Sequence, residues 1–171
     1  MEERQVTRMG GNIITLLGPE IRAGDRAPDF MLLDSDLFPK YPEDFEGKIK
    51  LISVIPSIET RVCNLQTCRF NEEAEKLSED VAVLSVSMDL PFTLKRWTEE
   101  SGLNRIITLS DHRDASFGLA YGVLIKELRL LNRAIFVIDQ KDIVKYVEVV
   151  EENNNPPDFD RALDAVRELE Q

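Results

Sequence analysis

Two stretches of the chain are apolar at nearly every position. Residues 49–55 and 81–88 are dense in Ile, Val and Leu, bounded by turn residues, and too short for helices. Such runs read as strands covered on both faces, hence central in a sheet. Between them the pattern changes to a helical period. From Arg61 to about Leu77, Val62, Gln66, Phe70, Ala74 and Leu77 share a face, with Phe70, Ala74 and Leu77 as the core stripe. After the second strand, Asp89-Leu90-Pro91 opens another helix, with Pro91 in the first turn where its missing N–H is harmless, and Ser101-Gly102 closes it. Strand, helix, strand, helix predicts a parallel sheet with right-handed crossovers.

The flanking segments fill in the rest. Residues 4–9 and 13–17 flank Gly10-Gly11-Asn12 and predict a hairpin, read as a decoration at the end of the main sheet. Residues 29–33 predict a short strand, and residues 37–45, with Pro39 and Pro42, a loop or single helical turn. Residues 106–109 form a strand, Ser110-Asp111 can cap the turn that follows, and residues 115–121 form a short helix stopped by Gly122. Residues 126–131 make a loop whose apolar side chains could cover an active site or a partner surface. Residues 134–138 and 143–150 form a hairpin around Asp139-Gln140-Lys141-Asp142. Residues 153–157 read as a rigid linker, and residues 158–170 as a closing amphipathic helix with Leu163, Val166 and Leu169 inward. The expectation is one α/β domain over residues 1–171, a central mixed sheet flanked by helices, with residues 1–18 as an N-terminal β-hairpin extension.

The candidate chemistry lies where the first apolar strand meets the first helix. Both cysteines, Cys63 and Cys68, are here. Thr60 is a good N-cap, which puts Cys63 at the third helical position, with its amide donating to the Thr60 hydroxyl. A sulfur in the first turn faces unpaired N–H groups and the positive end of the helix dipole, which favour the thiolate. The pattern describes an activated nucleophile rather than a buried packing residue. Cys68 falls on the side of Arg61, Asn71, Glu72 and Glu75, so an accessible thiol is expected. On a regular helix, residues five apart lie about 140° around the axis, and their Cα atoms are roughly 8 to 9 Å apart. A Cys63–Cys68 disulfide therefore requires the first turns to unwind.

Composition narrows the function. A formal charge of -11 argues against nucleic-acid or anionic-membrane partners. No stretch is long and apolar enough to span a bilayer, and Met1-Glu2-Glu3-Arg4-Gln5 lacks a signal-peptide core, so a cytoplasmic protein is expected. In a reducing compartment a C-x4-C pair suits a transient catalytic disulfide better than a permanent staple. With one histidine, His112, no metal site is expected, and no cofactor.

Pro56-x-x-x-Thr60-x-x-Cys63 resembles the active-site motif of peroxiredoxins, and Pro56-Ser57-Ile58-Glu59-Thr60-Arg61-Val62-Cys63 resembles their thiol peroxidase branch. The likeness extends to Gly24-Asp25-Arg26-Ala27-Pro28-Asp29-Phe30, Asp89-Leu90-Pro91-Phe92, Leu109-Ser110-Asp111-His112-Arg113, Tyr121-Gly122-Val123 and Arg133-Ala134-Ile135-Phe136-Val137-Ile138-Asp139. It implies a thioredoxin-like fold, a peroxide substrate, a thioredoxin-like reductant and a homodimer packed beside the active site. It also implies that Cys63 is the peroxidatic cysteine, that Thr60 orients the peroxide, that Pro56 shields the sulfur, and that Arg133 completes the positive environment. His112 and Arg113 read as loop hydrogen-bonders, and Glu59 and Arg61 as solvent-facing. In thiol peroxidases the usual resolving cysteine lies on the helix after Asp-Leu-Pro-Phe; the matching position is Thr98. Cys68 instead has the C-x4-C spacing of some bacterioferritin comigratory proteins, a neighbouring branch, and is expected to resolve Cys63.

Three alternatives stay open at this point. An external thiol could resolve a single-cysteine cycle. A general thiol–disulfide oxidoreductase would share the fold but normally carries C-x-x-C. A non-catalytic scaffold would not need Cys63 at all.

Overall fold

The chain, of which the computed structural model describes residues 1–171, runs through β1 (Glu3–Met9), β2 (Asn12–Leu17), β3 (Leu32–Leu33), β4 (Pro39–Lys40), a 3-10 turn (Pro42–Phe45), β5 (Ile49–Val54) and α1 (Arg61–Ala74). It continues through β6 (Val81–Ser87), α2 (Pro91–Ser101), β7 (Ile107–Ser110), α3 (Ser116–Ala120), β8 (Leu124–Ile125), β9 (Ala134–Ile138), β10 (Val144–Val149) and α4 (Phe159–Leu169). A mixed sheet of order β10-β9-β5-β6-β7-β3-β4 forms the centre. β5, β6 and β7 are parallel, and β9 lies antiparallel to β5.

Every residue of β5 is buried, because both faces of the sheet are covered. Ile49 and Leu51 pack with Phe70 and Ala74 of α1 and with Ala162, Leu163 and Val166 of α4. Ile52 and Val54 point the other way, into a cluster containing Phe117, Tyr121 and Phe136. Two polar residues interrupt this strand, and each has a partner. Lys50 pairs with Asp142 at 2.6 Å, and Ser53, on the α1 face, accepts from Gln66 Nε2 at 2.7 Å. A buried polar group without such a bond would cost about 1 to 3 kcal/mol.

Several elements differ from the sequence-based expectation. α1 stops at Ala74, where the amides of Lys76 and Leu77 turn back to Glu73 and Ala74 in tight 3-10 fashion, leaving Leu77 half-buried. Asn71, expected on the Cys68 side, is buried, and its Oδ1 accepts from the amides of Arg105 and Ile106. The strand expected over residues 29–33 is paired only at Leu32–Leu33. The N-terminal hairpin forms beside the central sheet, and it gains an unexpected third strand: β1, β2 and β8 make a separate three-stranded sheet. The 126–131 loop packs along that sheet, with the Lys126 amide on Thr15 O and the Glu127 carboxylate on the Thr15 amide. The segment read as a linker begins with Asn153, which is wholly buried. No helix is long and apolar enough to cross a membrane.

Candidate active site

β5 delivers the chain to Ile55 and Pro56, both buried, and a four-residue turn then starts α1. Asp89, just beyond the end of β6, holds this turn. Its Oδ1 accepts from Ser57 Oγ at 2.7 Å, and its Oδ2 accepts from the Ile58 amide at 2.7 Å and from Ser87 Oγ at 2.9 Å. A carboxylate with three donors is a strong local anchor.

Thr60 caps α1 as its sequence position predicts: extended at φ -85°, it accepts from the Cys63 amide at 3.3 Å and donates to the Ser57 carbonyl at 3.3 Å. Cys63 therefore sits in the first helical turn. It is wholly buried among Ile55, Ile58 and Leu94, with Trp97 packed against the group.

Arg133, immediately before β9, approaches from the neighbouring strand. Its side chain is buried at 2% exposure, and Nη2 donates to the Cys63 sulfur at 3.3 Å. Nη1 donates to Gln66 Oε1 at 2.8 Å and Nε to the Asn153 carbonyl at 2.9 Å. Apart from the sulfur, these partners are neutral oxygens. Burying a guanidinium without a counter-charge is costly. The one partner that is not a neutral oxygen is the Cys63 sulfur, so the free arm of the guanidinium is aimed at the reacting atom.

Cys68 is not brought to Cys63. Both lie on the uninterrupted α1, and the half-exposed Cys68 donates from sulfur to Asn64 Oδ1 at 3.3 Å. Burial, with a smaller contribution from the charge of Glu72, pushes the Cys68 thiol above its ordinary value. Thr98 sits on α2 with its hydroxyl on the Leu94 carbonyl at 2.9 Å. His112 makes a backbone bond to Ser110 Oγ, and Arg113 pairs with Asp114 at 3.3 Å; neither bond involves the cysteine. Glu59 and Arg61 are exposed, with Glu59 paired to Arg96.

Gln66, Asn153 and Asp89 were not singled out from the sequence as site residues. Gln66 had a signal, a polar side chain on an otherwise apolar helix face. Asp89 lies in a stretch that reads as helix entry, and nothing in Asn153-Asn154-Asn155 marks the first as a ligand to an arginine. No group of three or more His, Cys, Asp or Glu side chains is placed to hold a metal ion.

Residues 23–147 match the AhpC/TSA family. A thiol peroxidase of Halalkalibacterium halodurans is 56% identical over 157 residues, covering 92% of this chain and 94% of that protein. Among solved structures, a peroxiredoxin-like protein from Aquifex aeolicus superposes with a TM-score of 0.90 at 36% identity, covering 99% of each chain. A thiol peroxidase from Chromobacterium violaceum gives a TM-score of 0.85 at 28% identity, over 96% of this chain and 97% of its own. The mixed sheet with its flanking helices is accordingly a thioredoxin-like fold, and the chain belongs to the AhpC/TSA family and, within it, to the thiol peroxidases.

Proposed function

We propose that this chain reduces peroxides by a two-cysteine cycle carried on α1. As a thiol peroxidase it is an oxidoreductase that consumes a peroxide and a thiol reductant. The observation that supports Cys63 as the reacting sulfur is its buried hydrogen bond from Arg133; the part given to Cys68 rests on its C-x4-C spacing.

The Cys63 thiolate attacks one peroxide oxygen. An S–O bond forms, the O–O bond breaks, and the departing oxygen takes a proton to leave as water or an alcohol. Arg133 and the N–H groups of the first α1 turn stabilise the charge that moves from sulfur to oxygen. Thr60 orients the peroxide through its hydroxyl, and the buried Pro56 keeps bulk water from the sulfur. The resulting sulfenic acid must be resolved before further oxidation. In this reading the Cys68 sulfur attacks it, an S–S bond forms, and water leaves. A thioredoxin-like dithiol then reduces the disulfide and is itself oxidised.

Unwinding of residues 61–68 is part of the cycle, because a helical i, i+5 pair is too far apart to bridge. The continuity of α1 favours a second reading, in which an external thiol resolves Cys63. A homodimer packed beside the site and a cytoplasmic setting complete the proposal. Leu90 and Phe92, exposed next to Asp89, supply apolar surface for such a contact.

The test is peroxide consumption in the presence of a reducing dithiol protein. Cys63→Ser is expected to abolish it while leaving the fold intact. Turnover retained by Cys63→Ser would remove the basis of this mechanism.

A further inference from the structure

The end of β10 runs into Glu151-Glu152-Asn153, and this short strap is gripped on two sides. On one side it is stitched to β1. The Arg8 amide donates to the Glu151 carbonyl at 2.7 Å and the Asn153 amide to the Arg8 carbonyl at 2.8 Å, a parallel bridge between Arg8 and Glu152. The Glu152 carboxylate reaches into the turn of the N-terminal hairpin, where Oε1 accepts from the Gly10 amide and Oε2 from the Gly11 amide, both at 3.0 Å. Gly10 and Gly11 have φ of 59° and 82°, and consecutive amides in that backbone form a small anion-binding nest. These bonds, with the Gly11 amide foremost, hold the Glu152 carboxyl below its ordinary value, so it stays charged at neutral pH.

On the other side the strap holds Arg133. Asn153 Oδ1 accepts from the Arg133 amide at 2.7 Å, and the Asn153 carbonyl accepts from Arg133 Nε at 2.9 Å. A guanidinium is a rigid planar fork, so fixing Nε on Asn153 and Nη1 on Gln66 also fixes the direction of Nη2. A shift of the strap swings the fork about Gln66 and opens its contact with the Cys63 sulfur.

We propose that Glu152 is a positioning residue for the peroxidase reaction: by gripping the turn of the N-terminal hairpin it fixes the Asn153 strap and, through it, the aim of Arg133 at Cys63. The proposal rests on the role given to Arg133 above. It makes the hairpin a support of the active site rather than a decoration.

The test compares Glu152→Ala, Glu152→Gln and Arg133→Lys in a Cys68→Ser background, where Cys63 reacts alone. The readouts are the rate with hydrogen peroxide, followed by the fluorescence of Trp97 against the Cys63 cluster, the rate of iodoacetamide alkylation, and the melting temperature. Glu152→Ala is expected to slow both Cys63 reactions about tenfold, since small misplacements of a reacting geometry cost that much or more. Glu152→Gln, which keeps one acceptor, falls between Glu152→Ala and the parent. A lower melting temperature with unchanged Cys63 rates would reduce Glu152 to a structural latch and overturn the proposal. If Glu152→Ala does not fold, Glu152→Gln decides by the same comparison. If Arg133→Lys leaves the rates unchanged, the reading of Arg133 fails first, and the two failures are told apart.

Discussion

Arg133 and Cys63 are seventy positions apart in sequence, yet the Arg133 Nη2 atom donates to the Cys63 sulfur at 3.3 Å, and neither residue reaches solvent beyond 2%. A hydrogen bond to a charged group contributes about 1.5 to 3 kcal/mol. If the transition state needs it, Arg133→Lys should lower kcat/KM for peroxide by about tenfold to a hundredfold. Lysine keeps the charge but loses the fork that engages Asn153, Gln66 and the sulfur together. Steady-state kinetics on that variant read the effect, and a change of less than twofold would remove Arg133 from the mechanism.

Thr60 combines two contacts that can be separated by substitution. Thr60→Ser keeps the oxygen that caps the Cys63 amide and bonds Ser57, and should stay within about threefold of wild-type activity. Thr60→Val keeps the shape and loses the oxygen. It should cost about 1 kcal/mol of stability through the cap and at least about tenfold in kcat/KM. Denaturant titrations and peroxide kinetics on the pair distinguish the two losses.

The resolving step should depend on pH through Cys68. Its thiol is raised by burial first and by Glu72 second, so at neutral pH it is mostly protonated. Disulfide formation after a peroxide pulse should therefore accelerate as pH rises. Glu72→Gln removes one raising cause, which increases the thiolate fraction at a given pH, so the acceleration should begin at lower pH. Rapid acid quench and mass analysis give the rate. Identical pH profiles for the two proteins would contradict the assignment.

Asp111 tests stability rather than chemistry. Burial raises its carboxyl from 3.8 to about 6, although the Phe117 and Gly118 amides both donate to it. The folded state then binds this proton more tightly than the unfolded chain between pH 4 and pH 6. Its contribution to stability is full below about pH 4 and is lost as pH rises through about 6. The difference corresponds to about 3 kcal/mol. The stability of wild type relative to Asp111→Asn should fall by that order across the window and stay flat above it, as read from urea titrations at several pH values.

The Thr60 cap and Cys63 were legible because they depend on local spacing: an N-cap and a first-turn residue stand in a fixed relation on any helix. The central strands were legible because β5 and β6 are buried on both faces and their sequences say so. Arg133 was visible only through the family likeness, since its position before β9 carries no local signal. Asn153 was misread because a run of Asn followed by Pro favours turns whatever lies beneath it. Its burial comes from the pairing of β1 with the 151–153 strap, a contact between the two ends of the chain. The hairpin was legible as a local element beside the main sheet, but its third strand, β8, was not, because pairing partners distant in sequence are set by tertiary packing.

The most direct measurement is intact mass after one equivalent of peroxide, on wild type and on Cys68→Ser, with a sulfenic-acid trap present. Wild type should lose two hydrogens, mapped by digestion to a Cys63–Cys68 bond, while Cys68→Ser should yield the trapped sulfenic acid on Cys63. A wild-type protein that keeps Cys68 free while Cys63 carries sulfenic or sulfinic acid would contradict the resolving role and leave the cycle to an external thiol.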